Sequence, residues 1–188
     1  MKIVTRELTP ERWPDFEALF GASNGVCGGC WCMFWRVDEG EKYANLKGAR
    51  AKQRMKALIL DGKAKGVLAY DGDAPVAWLS YGPRREYPKL DRAPSLACDD
   101  ADDVWSMPCF FVKAGHRGKG VATALLSHAV KSVKKAGGKI AEGYPYKVSG
   151  KSPAAFIWTG VPQLFEREGF EVVEKRAKGK QRMRKKLR

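Results

Sequence analysis

The sequence predicts one mixed α/β domain, α+β in its chain order, on a partly parallel sheet. Three observations carry that expectation. Residues 104–112 form an apolar run that passes through a glycine turn into a helical stripe and then a second apolar run ending at Tyr144, which is a strand–turn–helix–strand unit. Residues 66–70 and 75–81 are strand-like and flank Asp71-Gly72-Asp73-Ala74, a composition suited to the tight connection of an antiparallel hairpin. The 188 residues, 44% hydrophobic and 30% charged, suffice for one real core but leave two full domains cramped.

The elements follow in order. Residues 2–8 alternate as an opening strand, and Thr9-Pro10-Glu11 starts a helix that runs through Phe20. Glycines break residues 21–29. Helical periodicity returns over 44–60, where Ala51, Met55, Leu58 and Ile59 share a face and Arg50, Lys52, Arg54 and Lys56 surround it, so this helix has a basic exterior. After the hairpin, residues 82–103 are polar and proline-marked and end in Asp99-Asp100-Ala101-Asp102-Asp103, reading as a long loop over one end of the sheet. The strand at 104–112 and the turn at 113–120 lead to a helix at 121–136, with Ala122, Leu125, Ala129 and Val133 on one stripe. Gly137-Gly138 stops it, and Lys131, Lys134 and Lys135 suit its negative end. A strand at 139–144, a short helix at 162–168 closed by Gly169, and strands at 170–176 and 181–187 turning at Lys178-Gly179 complete the chain. There is no repeat, low-complexity tract or linker.

Thirty-five Lys and Arg against 21 Asp and Glu give a net charge of +14, which favours acidic partners such as nucleic acid, anionic lipid or a polyphosphate cofactor without choosing among them. Nine of the last fourteen residues are basic, the composition of a solvated terminal hairpin. No run reaches the roughly eighteen apolar residues of a membrane helix and the first residues lack the apolar core of a secretory signal, so a cytoplasmic location is expected, with no membrane partner. Five cysteines, three of them at Cys27, Cys30 and Cys32, are an odd number for a disulfide framework, so reduced thiols are the simpler assumption.

The most informative segment is Arg117-Gly118-Lys119-Gly120-Val121-Ala122, between a strand and a helix. Such a turn gathers backbone N–H donors at the positive end of a helix, where an anion is favoured, while glycines allow close approach and Arg117 and Lys119 add charge. The alternative meaning of Gly118 and Gly120 is an ordinary tight turn. Neither the Gly-x-x-x-x-Gly-Lys-Ser/Thr pattern nor a third glycine at Thr123 is present, which disfavours a nucleotide triphosphatase.

Here the sequence resembles the GNAT superfamily of N-acyltransferases, whose pyrophosphate loop reads Arg/Gln-x-x-Gly-x-Gly/Ala after a strand ending in Val. Val112, Arg117, Gly120 and Ala122 match it in register, Glu166-Arg167-Glu168-Gly169-Phe170 resembles the family's helix ending in Gly-Phe, and the element order follows the family along nearly the whole chain. The resemblance implies a mixed, centrally splayed sheet with helices on both faces. It implies a single acyl-CoA N-acyltransferase domain over 1–188, with 104–144 as the CoA-binding core and 21–62 bordering the acceptor site. Acetyl-CoA is then the cosubstrate: Arg117, Gly118, Lys119, Gly120, Val121, Ala122 and Thr123 hold its pyrophosphate, and Phe110, Phe111 and Val112 its pantetheine. The thioester lies near residues 109–111, where amides freed by the splay polarise its carbonyl and Pro108 marks the irregularity.

Acetyl transfer to an amine needs a neutral nitrogen, oxyanion stabilisation and a proton for the departing thiolate. Many family members place a Tyr acid where this chain has Phe165, so the usual acid is missing. Alternation along 139–144 puts Ile140, Glu142 and Tyr144 on one side, and Ala141 and Gly143 on the other. If that face borders the cleft, Glu142 suits a general base and Tyr144 a substitute acid; the alternative is a solvated Glu and a packing Tyr. His116 reads as touching phosphate or solvent, and His128 as a helix-surface residue. Trp31, Phe34 and Trp35 read as acceptor-pocket wall or nearby core, with Cys30 and Cys32 as small apolar partners; the three clustered thiols lack a fourth zinc ligand, and no metal is expected. The Asp99–Asp103 run draws a cationic amine or is simply solvated, whereas Arg84, Arg85 and Lys89 favour an acidic acceptor.

The expected activity is therefore N-acetyl transfer from acetyl-CoA to a primary amine of a small molecule or peptide, by direct attack in a ternary complex. Its rivals are a CoA-responsive regulator without catalysis, favoured by the absent Tyr, and a basic nucleic-acid-binding module, disfavoured by the scarcity of stacking aromatics in the tail. A homodimer is left open.

Overall fold

The computed structural model of the protein describes residues 2–26, 28–147, 157–174 and 179–187. Strand β1 (Ile3–Glu7) leads through helices α1 (Trp13–Gly21) and α2 (Ala49–Leu60) to the hairpin β2 (Lys65–Asp71) and β3 (Ala74–Pro83). Then come β4 (Val104–Val112), α3 (Val121–Lys135), β5 (Ile140–Gly143), β6 (Tyr146–Lys147), α4 (Pro162–Arg167), β7 (Glu171–Glu174), β8 (Gly179–Lys180) and β9 (Arg182–Lys186). Seven strands form one sheet in the order β1-β2-β3-β4-β5-β9-β7, antiparallel throughout except for β4 and β5, and β6 pairs with β8.

Alternation along the strands builds two cores. Register aligns Val67, Leu79 and Phe110 beneath α3, whose Leu125, Leu126, Ala129 and Val133 are buried against them. Each large apolar side chain buried there is worth roughly 1.5–3 kcal/mol relative to exposure, so α3 is held by packing more than by its own propensity. Leu68, Trp78 and Phe111 face the opposite way, toward Phe16 and Phe20 of α1 and Met55 and Ile59 of α2. The mixed sheet and its helices on both faces thus match the expected fold.

Three local expectations change and a fourth is extended. Residues Pro10–Arg12 make a 3-10 turn, and α1 begins only at Trp13 with Pro14 in its first turn, where a missing N–H costs nothing. The helix expected from residue 44 begins at Ala49, because Lys47 is extended at φ −80° and ψ 163° after a turn at Tyr43–Leu46. The polar segment 82–103 is a long loop, as expected, but its composition hides apolar anchors: Tyr87, Leu90 and Leu96 are buried with Trp35 and Tyr144 in a third core. The basic C-terminus is no solvated hairpin, since β9 lies inside the sheet between β5 and β7, buries Met183 and spends Arg184 on ion pairs; the expected turn at Lys178 and the end of the strand at 170–176 lie outside the described residues. Among the described residues no helix is long and apolar enough to cross a membrane.

Candidate active site

The loop after β4 combines two left-handed glycines with the start of α3. Gly118 sits at φ 70° and Gly120, the residue capping α3, at φ 78° and ψ 0°, a region that side chains with a Cβ occupy only with strain. Among the described residues no backbone N–H from Gly118 to Thr123 donates to a backbone carbonyl, the first bond of the helix being Ala124 N–H to Gly120 C=O at 3.0 Å. A Cβ on either glycine would meet nothing within 4 Å, so this side is open. Six amides at the positive end of a fifteen-residue helix with no acidic residue in its first turn form an anion cradle. Arg117 donates through Nε to Val112 C=O at 2.9 Å, tying the loop to the strand end.

A cleft of about 830 Å³ opens on this cradle. Phe110, Phe111, Val112, Arg117, Gly118, Gly120, Val121, Ala122 and Thr123 line it, and Trp158, Gly160, Leu164 and Arg167 form its other wall. Lys119 is exposed and outside the lining. His116 also lines the cleft; its Nε2 lies 3.2 Å from Asp71, while its buried Nδ1 has no hydrogen-bond partner among the described residues. His128 differs from its expected surface role, bridging α3 to β1 through Thr5 Oγ1 at 2.8 Å and Glu7 at 3.1 Å.

The sheet splays where the cleft meets β4. Strands β4 and β5 pair only over Val104–Met107, whereas β4 stays on β3 to Val112. Met107 and Pro108 together face Tyr81 across a register shift, a bulge that a residue without an N–H accommodates. Trp35 Nε1 donates to the Pro108 carbonyl at 3.1 Å and holds the bulge. The Phe110 N–H, expected to be freed by the splay, instead donates to the Trp158 carbonyl at 2.7 Å.

A smaller cavity of about 190 Å³ adjoins the cleft through Val26, Phe110, Phe111 and Trp158. Of the three aromatic residues expected at the acceptor, only Phe34 lines it. Trp31 is core, its ring stacked 6.0 Å from Phe20, and Trp35 serves the bulge. Cys30, Cys32 and Cys109 bring three thiols to its wall. Cys32 Sγ accepts Trp78 Nε1 at 3.3 Å; the Cys109 hydrogen bond first, then that of Trp78 and the Arg36 charge, pull its thiol down to about 7 against the opposing effect of burial. Burial pushes Cys30 up. Cys27 lies outside the described residues, and among those described no three His, Cys, Asp or Glu side chains are arranged to hold a metal.

Glu142 and Tyr144 do lie on one face, yet neither lines the cleft or the cavity. Both are fully buried. Arg84 Nη1 donates to Glu142 Oε1 at 2.5 Å and to the Tyr144 hydroxyl at 2.8 Å, Tyr144 donates to Glu142 at 2.7 Å, and Ser106 Oγ lies 2.6 Å from that hydroxyl. Arg184 Nε takes the other carboxylate oxygen. Burial and the adjacent carboxylate push the Tyr144 hydroxyl well above the usual tyrosine range, so it keeps its proton at neutral pH. On the opposite side, a Cβ at Gly143 would stand 2.0 Å from Phe165, whose fully buried ring fills the space beside Phe110 and Phe170.

Three of the four aspartates of the acidic run are also paired: Asp100 with Arg184, Asp102 with Arg85 and Asp103 with Lys139. Sequence reasoning missed Trp158 and Tyr43 at the cavity wall, since neither belongs to a periodic stretch, and took Cys109 only as a residue near the thioester, without its thiol.

Solved acetyltransferases share this architecture. PaiA N-acetyltransferase from Thermoplasma acidophilum, in complex with coenzyme A, superposes at TM-score 0.58 with 16% identity over 99% of both chains. YncA from Salmonella typhimurium with acetyl-CoA gives 0.57 and 14%, covering 99% of this chain and 94% of its own. A phosphinothricin acetyltransferase from Sinorhizobium meliloti in complex with AcCoA gives 0.57 and 15%, covering 100% and 89%. No curated protein matches the chain. The profile of the acetyltransferase (GNAT) family matches residues 13–142, from the start of α1 to β5, and with well over half of the sequence matched the chain belongs to the GNAT family of acetyltransferases.

Proposed function

We propose that the protein transfers the acetyl group of acetyl-CoA to a primary amine, by direct attack with both substrates bound. The observation that carries this reading is the set of amides from Gly118 to Thr123, without a backbone partner among the described residues, opening on a cleft that runs along β4 to a second cavity. These amides suit the CoA pyrophosphate, and His116 stands on the same cleft. Phe110, Phe111 and Val112 flank the pantetheine arm, Arg117 braces the loop, and Lys119 contributes only long-range charge. When bound, acetyl-CoA supplies an acetyl group activated as a thioester. CoA or acetyl-CoA in the three structural relatives supports the assignment.

The acceptor side is the smaller cavity, with Phe34 in its wall. We give Glu142 and Tyr144 a positioning part, in place of the base and acid expected of them: buried between guanidinium groups, they fix Arg84 and Ser106 behind the bulge. With a phenyl ring at residue 165, the titratable groups lining the cavity at this end of β4 are the thiols and the Tyr43 phenol. We assign proton transfer to the Cys109–Cys32 pair, Cys109 Sγ holding the proton beside the bulge and Cys32, poised near neutrality, exchanging it. Release of free CoA thiol from acetyl-CoA, measured over a panel of primary amines, tests the activity. Turnover with at least one amine is expected, and CoA binding without turnover on any would instead favour the regulator.

A further inference from the structure

Most charges around the acceptor side are matched. Arg84 is held by Asp91 and Glu142, Arg184 by Asp100, Arg85 by Asp102 and Arg36 by Glu86. Three lysines over the rings of this region are not: among the described residues Lys47, Lys89 and Lys180 have no carboxylate partner, and of these Lys47, 5.1 Å from the Tyr43 centroid, is exposed whereas Lys89 and Lys180 are half-buried. Lys89 Nζ stands 3.7 Å above the centroid of Phe34 and 5.3 Å from that of Tyr43, and Lys180 Nζ 5.6 Å from that of Trp158.

Those same three rings line the smaller cavity, and Phe34 and Trp158 are 5.3 Å apart. The aromatic wall that borders the acceptor space thus carries half-buried cations at two of its rings, Lys89 at Phe34 and Lys180 at Trp158. Burial lowers the proton affinity of both lysines, with Arg92 adding to the effect at Lys89, so each ammonium has lost water without gaining an anion among the described residues. An aromatic face returns less to such a cation than a charge-assisted hydrogen bond does. The cavity lining itself contains thiols, a phenol and apolar groups but no carboxylate to pair with an ammonium. Three of the four carboxylates of the acidic run are already paired, with Arg184, Arg85 and Lys139. A volume of about 190 Å³, roughly six waters, admits one small molecule.

Resting on the acetyl-transfer reading, we propose that the acceptor is a small amine bearing its own anionic oxygen group, a carboxylate or a phosphate, which Lys89 and Lys180 receive at the rim while the amine reaches toward Cys109 and Phe110. A free amino-carboxylate fits this description and a peptide N-terminus, which lacks the adjacent anion, does not. The two lysines orient the acceptor and touch no reacting atom.

The test uses the CoA-saturated protein and binding calorimetry, so its outcome is independent of turnover. L-phenylalanine is compared with phenethylamine, 5-aminovalerate with pentylamine, and O-phosphoethanolamine with ethanolamine. At least one anionic member should bind tenfold or more tightly than its neutral partner, the carboxylate and phosphate arms separating the two sources of charge. The double variant Lys89→Met, Lys180→Met should remove that difference while leaving the neutral amine unchanged; Lys89→Arg with Lys180→Arg should retain most of it, and Lys131→Met, an exposed charge on α3, should retain all of it. Equal affinity within every pair, no measurable binding of any probe, or an unaltered preference in the double Met variant would overturn the proposal. Acetyl transfer to neutral amines at undiminished rate would overturn it while leaving the acetyltransferase reading intact; absent turnover alongside a lysine-dependent preference would do the reverse.

Discussion

Glu142→Gln separates a positioning carboxylate from a general base. The substitution keeps the side chain's shape but turns one acceptor oxygen into a donor facing guanidinium groups, since Arg84 and Arg184 each bond a different oxygen of Glu142. Both Glu142 and the Arg84 side chain are fully buried, and removing one partner of such a pair costs about 3–5 kcal/mol because the other charge is left without solvent. Arg84 retains Asp91 and Arg184 retains Asp100, which places the expected loss at the low end, about 3 kcal/mol. With a urea dependence of about 1–3 kcal/mol per molar, the unfolding midpoint should fall by about 1–3 M. Tryptophan fluorescence follows the transition, Trp35 lying 6.3 Å from the Tyr144 ring. CoA affinity should not change, because Glu142 does not line the cleft. An unshifted midpoint would refute the buried network, and an undiminished midpoint with turnover reduced more than about a hundredfold would return Glu142 to the role of base.

Gly120→Trp introduces an indole over the amide cradle at a position with φ 78°, and should weaken CoA binding by about a hundredfold or more while costing the fold only the 1–2 kcal/mol of a left-handed residue; calorimetry giving native affinity would contradict the cradle. Phe165→Tyr places a hydroxyl among Gly143, Gly160 and Phe110, where a buried unpaired group costs about 1–3 kcal/mol, so the thermal midpoint should drop without a gain in turnover. A gain would put residue 165 at the reacting centre. The alkylation rate of Cys32, followed site by site by mass spectrometry, should rise with pH through a midpoint near 7, because the thiolate is the reactive form and its pKa is lowered; Arg36→Met should move that midpoint upward, and a wild-type midpoint at or above 8.5 would remove Cys32 from proton transfer.

What could be read from the residues alone follows the reach of the forces involved. The turn at Gly118 and Gly120 is set by its own backbone angles, so local chemistry identifies it. The period of two likewise put Glu142 and Tyr144 on one face, where they do bond each other. What covers that face comes from far away in sequence: Arg84 arrives from the end of β3 and Arg184 from β9, and no local pattern announces either. Trp31, Phe34 and Trp35 diverge for a related reason. Trp31 and Cys32 adopt φ of 46° and 62°, so neighbouring side chains follow neither helical nor strand periodicity and only Phe34 reaches the cavity. Composition misled at the C-terminus, where basic residues usually mean a solvated tail but β9 is an interior strand whose arginines neutralise Glu142 and Asp100. The order of strands and helices was readable because each element carries its own periodicity and its own stop.

The diphosphate grip of the α3 cradle is tested most directly by amide-resolved NMR of the labelled protein during titration with CoA and, separately, with 3′-phosphoadenosine diphosphate. The account predicts that the backbone amides of Gly118 to Thr123 shift together and saturate with the calorimetric affinity for both ligands, and that these shifts vanish in Gly120→Trp. Tight binding of CoA with those six amides unmoved would contradict it.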